Sequence, residues 1–296
     1  MKPINVLSLF DGMSCGRIAL DRCGIPVQNY FASEIKKSAI AVSQKNWTDI
    51  THIGDVKDVM WPETFEGLPI DLLIGGSPCQ DFSSANAIFG DRKGLEGSRS
   101  ALFYEFLRLL KEAKPRYFLL ENVRMKKDAK AELDEYLGVE GVLIDSSLVS
   151  FQKRPRYYWT NIPNISIPED RGVLFREHRS RDKEYERKFK VKRTPSRERM
   201  WRNGEGRASD KVCCANVSEA DKIYCLTKKQ DRSPNSGLVE LDDFCRYLTR
   251  EELEMAQTVP IGYTDCLSIT QAQDVLGDGW TVDVVAHIFN GMKGTI

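Results

Sequence analysis

The sequence predicts an α/β chain built on an open, largely parallel sheet, and three observations carry that reading. Seven short runs of strand type interleave with helical patterns across the first 160 residues. Several of these runs end directly in an acid or a glycine, and in open α/β sheets ligands gather at the strands' carboxyl ends. The run 71–76 is apolar nearly throughout, as a strand covered on both faces must be.

In chain order, residues 5–10 form the first strand and deliver Asp11 and Gly12. Residues 15–23 follow as a helix with Ile18, Ala19 and Leu20 as its core stripe. Residues 30–33 make a second strand ending at Glu34, residues 37–44 a helix, and residues 52–54 a third strand leading to Asp55. Residues 71–76 are the fourth. Residues 98–113 place Leu102, Phe103, Phe106, Leu107 and Leu110 on one helical face, and Lys114 with Pro115 stops them. A strand over 117–120 ends at Glu121; a weak helix near 131–137 precedes strands at 142–149 and 157–160. From 169 to 245 periodicity fails and Arg, Lys, Asn, Gly and Ser dominate, which marks a smaller second lobe. Residues 248–257 regain helical spacing behind a capping box of Thr249 and Glu252, and the apolar tail 282–289 packs back on the first lobe. The expected organisation is 1–168, then 169–245, then a return segment 246–296 that completes the first domain.

With 41% hydrophobic and 29% charged residues, the chain is neither collagenous, coiled-coil nor wholly disordered. Its 43 basic residues balance 43 acidic ones, so no overall field advertises a polyanion. The balance is uneven, however: residues 171–210 hold 14 basic against 7 acidic residues. Eight cysteines form no dense framework, which points to a reducing compartment. The opening MKPINVLSLFDG enters a strand at once and leaves no room for a signal peptide, and no run has the length of a membrane span, so residence in the cytoplasm is expected.

FDGMSCG, between the first strand and helix, is a glycine turn where backbone can approach a ligand. Its order is not GxGxxG, so the pyrophosphate reading loses support and an adenosine ligand without one remains. Glu34 lies 22 positions after Gly12, near the offset at which a strand-end carboxylate accepts from ribose hydroxyls. Asp55 is placed to accept from an adenine amino group. Solvated acids at strand ends are the bland alternative for both.

DLLIGGSPCQDFS is the strongest local signal. Pro78 fixes its own φ and extends Ser77, so Cys79 is aimed rather than left on a flexible arm. A cysteine acts as nucleophile only as thiolate, which requires a polar setting; the alternative is a structural thiol. Glu121 is a strand-end carboxylate suited to proton donation. In FQKRPRYYW, Gln152, Arg154 and Arg156 alternate, so on an extended chain all three point one way and form an anion or base-edge clamp; salt-bridged surface is the other reading of the arginines. His52, His178 and His287 supply no hydrolase triad, and Cys213, Cys214, Cys225 and Cys245 lack zinc spacing, so no metal is expected.

Taken in order, these motifs resemble those of the DNA cytosine carbon-5 methyltransferases, and most of all the de novo, Dnmt3-like branch. The resemblance rests on FDGMSCG, ASE, GDV, SPCQDFS, ENV, the QxRxR pattern and LGDGWTV, and it spans nearly everything but the basic segment. It implies a Rossmann-like S-adenosylmethionine-dependent methyltransferase fold with a seven-stranded sheet and a small target-recognition lobe. S-adenosyl-L-methionine would be the methyl donor. Phe10 would face adenine, Gly12 and Gly16 would admit the methionine portion, Glu34 would bind ribose, and Asp55 with Val56 would contact adenine. Asp11, Ser14, Cys15, Ile35, Pro78, Leu102, Trp280 and Val282 would complete the cofactor site, while Asp278 departs from the branch's arginine.

The same resemblance makes Cys79 the nucleophile, Glu121 its acid, Arg154 a contact to the base carbonyl and Arg156 a fourth catalytic residue. The partner would be double-stranded DNA with a flipped cytosine, the loop 81–99 would close over the base, and residues 171–245 would read the sequence. A minimal stand-alone enzyme of bacterial or phage type is expected, of the kind found in restriction-modification. Self-association is left open. A tRNA-directed enzyme and a catalytically silent nucleic-acid-binding protein of the same fold are the alternatives.

Overall fold

A computed structural model of the chain describes residues 1–77, 101–201, 214–230 and 235–295. The chain divides into two compact units, one of residues 1–144, 155–168 and 282–296, the other of residues 145–154 and 169–281.

The first unit carries the sheet. Its strands are β1 (Ile4–Leu9), β2 (Val27–Ser33), β3 (Ile50–Gly54), β4 (Leu72–Gly75), β5 (Tyr117–Val123), β6 (Val142–Asp145, whose last residue groups with the second unit) and β7 (Pro155–Thr160). They lie in the order β3-β2-β1-β4-β5-β7-β6. The pairs β1/β2, β2/β3, β1/β4 and β4/β5 are parallel, and β5/β7 is antiparallel. The sheet is therefore seven-stranded and mostly parallel, as the alternating pattern predicts. Strand order reverses between β1 and β4, and the carboxyl ends around that reversal form the natural crevice of such a sheet.

Four of the unit's helices follow the apolar patterns: α1 (Cys15–Arg22), α2 (Lys37–Asn46), α3 (Ala101–Ala113) and α4 (Lys127–Leu137). Phe103, Phe106 and Leu107 of α3 are buried with Leu7, Leu9, Leu73, Phe118, Leu120 and Trp159, so one face of α3 and the sheet make one core. Removing such surface from water is worth roughly 25 cal/mol per Å², the largest stabilising contribution to the fold. The tail 282–289 is a helix that packs on α1: the Cys23 thiol donates to Ala286 O at 3.1 Å, and Arg22 pairs with Asp283.

Expected strand ends differ in two places that bear on the site: β5 runs on through Glu121 to Val123, and the sixth run is cut short. The run 142–149 stays a strand only to Asp145, whose carboxylate turns back to accept from Ser147 N at 2.9 Å and caps a 3-10 turn over Ser146–Leu148.

In the second unit regular structure is sparse: α5 (Phe175–His178), α6 (Lys183–Arg187), α7 (Pro195–Met200), a two-residue pair β8 (Val239–Glu240) and β9 (Cys245–Arg246), α8 (Arg250–Ala256) and α9 (Ile269–Asp278). The first unit's tail helix is α10 (Val282–Phe289). A small apolar cluster of Val191, Cys214, Leu238, Phe244 and Cys245 forms part of the second unit's interior, where burial pushes the Cys245 thiol up to about 12.

Buried polar bonding supplies much of the rest. Arg246 is fully buried, with its guanidinium on Glu186 Oε1 at 2.8 Å and on Glu252 at 2.7 and 2.8 Å. The predicted capping box of Thr249 and Glu252 opens α8. Residues 246–281 group with the second unit, and the chain rejoins the first at Val282, whereas the sequence pattern places the return at 246. Among the described residues no helix is long and apolar enough to cross a membrane.

Candidate functional site

The carboxyl ends of β1, β2 and β3 converge as the motif spacing requires. After β1 the chain turns sharply, with Phe10, Gly12 and Ser14 all in the left-handed region at φ 55°, 60° and 64°. Only Gly12 takes that conformation without a steric penalty, and a Cβ there would meet nothing within 4 Å, so the space above it is open. The Gly12 N–H donates to Glu34 Oε2 at 2.8 Å, while Glu34 Oε1 accepts from Ile35 N and Lys36 N, each at 2.8 Å. An ionised carboxylate offers about four acceptor sites, so three backbone donors leave Oε2 with room for another hydroxyl. Ile35 beside it is 69% exposed, an apolar face with no cover.

Asp55 follows β3 and caps a 3-10 turn over Val56–Asp58, accepting from Lys57 N at 3.1 Å. The turn is pinned from behind: Arg108 of α3 donates to Val56 O at 3.3 Å and Val59 O at 3.0 Å.

The expected cofactor residues divide in two by burial. Phe10, Gly12, Glu34, Ile35 and Asp55 keep accessible surface, whereas Asp11, Ser14, Cys15, Gly16, Val56 and Val282 are buried. Gly16 serves close packing: a Cβ on it would stand 2.3 Å from Ile74 Cδ1 and 3.1 Å from the Tyr30 hydroxyl. Leu102 packs half-buried against the core of the first unit. Trp280 is half-buried in the second unit, and Asp278 there pairs with Lys228 at 3.2 Å.

A second cluster lies at the ends of β4 and β5. Glu121, 8% exposed, has Arg156 Nε 3.0 Å from its Oε1, a pair supplied by neighbouring strands, since Val123 of β5 lies opposite Arg156 of β7. The Asn122 amide donates to the Ser77 hydroxyl at 3.4 Å, tying the strand that carries Glu121 to the start of the SPCQ loop. Pro78, Cys79 and the loop 81–99 lie outside the described residues.

The clamp expected from QxRxR does not form as a row of three. Gln152 and Arg154 belong to the second unit and spend their polar atoms inside it. Gln152 donates to Ala256 O at 3.0 Å and to Gln257 Oε1 at 3.2 Å, and accepts from Leu226 N at 2.8 Å. Arg154, 3% exposed, donates to Gly279 O at 2.8 Å, Gly277 O at 3.2 Å, Leu226 O at 3.5 Å and Cys225 Sγ at 3.3 Å. Buried polar groups must find partners, and here main-chain carbonyls claim these two. Only Arg156 reaches the carboxylate.

Several cations of the basic segment are paired with acids of the same unit. Arg179 meets Glu219 at 3.1 Å, Lys183 meets Asp242 at 3.5 Å, Arg176 pairs with Asp221 and Lys190 with Asp243. Tyr30, Ser43, Arg108 and Asn122 escaped the sequence reading, because each acts through a partner at least 19 positions away.

Residues 4–137 match the family model "C-5 cytosine-specific DNA methylase". Over 193 residues, 59% of this chain, the sequence is 40% identical to the orphan methyltransferase M.Rho11sI of Bacillus phage rho11s. Over 180 residues it is 30% identical to the type II methyltransferase M.NgoBV of Neisseria gonorrhoeae. The matched stretches make up 36% and 41% of those relatives' own lengths, so the chain aligns with well under half of each. The fold resembles that of the S. pombe Dnmt2 methyltransferase, with a TM-score of 0.69, 16% identity and 99% of each chain covered. It also resembles the Entamoeba histolytica methyltransferase EhMeth, with a TM-score of 0.66, 19% identity and coverage of 99% and 100%.

Proposed function

We propose that the chain, whose residues 4–137 match the C-5 cytosine-specific DNA methylase model, methylates carbon 5 of cytosine in duplex DNA, with S-adenosylmethionine as the methyl source. The observation that carries this reading is the buried Glu121–Arg156 pair, joined through Asn122 to Ser77. In the sequence, Ser77 precedes the proposed nucleophile Cys79 by two positions.

The open space over Gly12, the acceptor site left on Glu34 and the bare face of Ile35 suit an adenosine ligand: Glu34 would hold the ribose, with Asp55, Ile35 and Phe10 around the base. When bound, S-adenosylmethionine supplies an electrophilic methyl on a sulfonium. The protein's own part is nucleophilic and acid–base. A cytosine inside a duplex is out of reach, so it is flipped, at a cost of a few kcal/mol of unstacking. The Cys79 thiolate adds to carbon 6 while Glu121 stabilises the proton at ring nitrogen 3, which makes carbon 5 nucleophilic toward the methyl. Loss of the carbon 5 proton then expels the thiolate and restores the ring. Arg156 orients Glu121, and Arg154 holds the second unit in shape.

The second unit would contact the DNA through the cations of residues 171–245, and residence in the cytoplasm fits such a role. Duplex DNA carrying 5-fluorocytosine tests the covalent step. With the methyl donor present, the protein should form an adduct that survives denaturation, and Cys79→Ala should form none. Methylation that persists in Cys79→Ala would remove the nucleophile assignment.

A further inference from the structure

Behind the loop 10–16 runs a buried line of polar side chains that the reaction above does not use. The Tyr30 hydroxyl donates to Asp11 Oδ1 at 2.8 Å, and the Ser14 hydroxyl lies 2.5 Å from Asp11 Oδ2 and 2.7 Å from Ser43 Oγ. Ser43 in turn lies 3.4 Å from His52 Nε2. A hydroxyl has one proton, so if Ser14 donates to Asp11 it must accept from Ser43, which then accepts from His52 Nε2–H. His52 Nδ1 has no hydrogen-bond partner among the described residues, in keeping with the tautomer whose proton sits on Nε2. The line thus runs from imidazole to carboxylate, and it does so only while Asp11 is ionised. A proton on Asp11 turns an acceptor into a donor, and the order must reverse or break.

The carboxylate also sits where the loop is strained. Phe10 and Ser14, one on each side of it, hold left-handed conformations unfavourable for residues with a Cβ, and such conformations persist only where the surroundings over-determine them. Asp11 supplies three fastenings: its N–H to Ser33 O at 3.1 Å, its carbonyl to Ser14 N at 3.1 Å, and its carboxylate to the Ser14 hydroxyl. Gly12, whose N–H holds Glu34, is the next residue.

We propose that the ionised Asp11 carboxylate is the fastener that holds residues 10–16 and Glu34 in the shape that receives the methyl donor. Tyr30, Ser14, Ser43 and His52 act as its positioning residues, so that acid switches donor binding off. The proposal rests on the cofactor reading given under Proposed function. Burial pushes the Asp11 carboxyl up to about 6 against the opposing hydrogen bonds of Ser14, Ser8 and Tyr30, and the charge of Glu34 adds to the rise. Burial also lowers His52, against the charge of Glu34. The titratable groups facing the carboxylate are Tyr30 from β2, Glu34 from the turn after it and, through Ser43 of α2, His52 from β3.

Calorimetric titration of the full chain with S-adenosylhomocysteine tests the idea, with thermal unfolding to verify that each sample is folded. Between about pH 7.5 and pH 5, affinity should fall about tenfold, because roughly one carboxyl in ten stays ionised one unit below its pKa. Asp11→Asn should bind about tenfold more weakly at the higher pH and show no acid transition; if it does not fold, Ser14→Ala should show the same weakening. Glu34→Gln should weaken binding at both values yet keep the transition. An affinity that is flat with pH in the unaltered protein, or wild-type affinity and pH response in whichever of Asp11→Asn and Ser14→Ala folds, overturns the fastener and leaves the cofactor reading standing. If the unaltered protein binds at neither pH, both readings fall together.

Discussion

Arg154 and Arg156 stand two residues apart in one run, and the sequence offers no reason to treat them differently. Arg154 closes a ring of carbonyls in the second unit, while Arg156 lies on β7 and meets Glu121. The difference teaches that alternate positions share a direction only while the chain stays in one strand. Here β7 begins at Pro155, and the boundary between the two units falls immediately before it. One arginine is spent inside the second unit, and the other pairs with the carboxylate proposed as the site's acid.

Replacing each arginine should separate those two roles. Arg154→Ala removes the guanidinium from three carbonyls, of which Gly279 O keeps Gln257 Nε2 at 3.0 Å, and should cost about 3 kcal/mol, read as a lower denaturant midpoint. A shift under about 1 kcal/mol would break the comparison. Arg156→Ala should act mainly on chemistry, lowering methyl transfer about a hundredfold, or about 2.7 kcal/mol of barrier. Its loss of stability should be smaller than that of Arg154→Ala, and equal losses would mean that both residues are struts.

Asp11 extends the contrast to a residue proposed to serve the site, whose buried charge opposes the fold. Its carboxyl is raised from 3.8 to about 6, so its contribution to stability is fully present below pH about 4 and is lost as pH rises through about 6. At neutral pH the charge therefore opposes folding, by at most about 3 kcal/mol. Asp11→Asn should stabilise the protein by about 2 kcal/mol near pH 7, with the gain shrinking toward pH 4, measured by denaturation across pH. A gain that does not shrink in acid would show that charge burial is not its source. Thr249→Ala, which removes the cap of α8 in the second unit, should cost about 1 kcal/mol and leave methyl transfer unchanged.

Much of the site was legible because its markers are local. Asp11, Glu34 and Asp55 each follow the end of a strand within two positions and Glu121 lies among the last three residues of β5, and a strand end shows in a few consecutive residues. The Thr249–Glu252 capping box was legible for the same reason, its two halves lying three residues apart. Gly16 was harder to read, since a glycine in a loop-to-helix turn looks the same whether it admits a ligand or, as here, the side chain of Ile74. The buried Arg246 gave one faint signal, a charge between Cys245 and the run Tyr247–Leu248, but Glu186 lies 60 positions away and nothing local pairs them.

The residue pattern alone was therefore enough for the α/β class, the seven strands, the family resemblance and the acids at the strand ends, because periodicity and turn chemistry act over a few residues. Three features came from packing: the antiparallel β7, the separate fates of Gln152 and Arg154 against Arg156, and the line from Tyr30 to His52. Each depends on which distant partner satisfies a buried polar group, and that choice exists only once the strands and helices have closed around it.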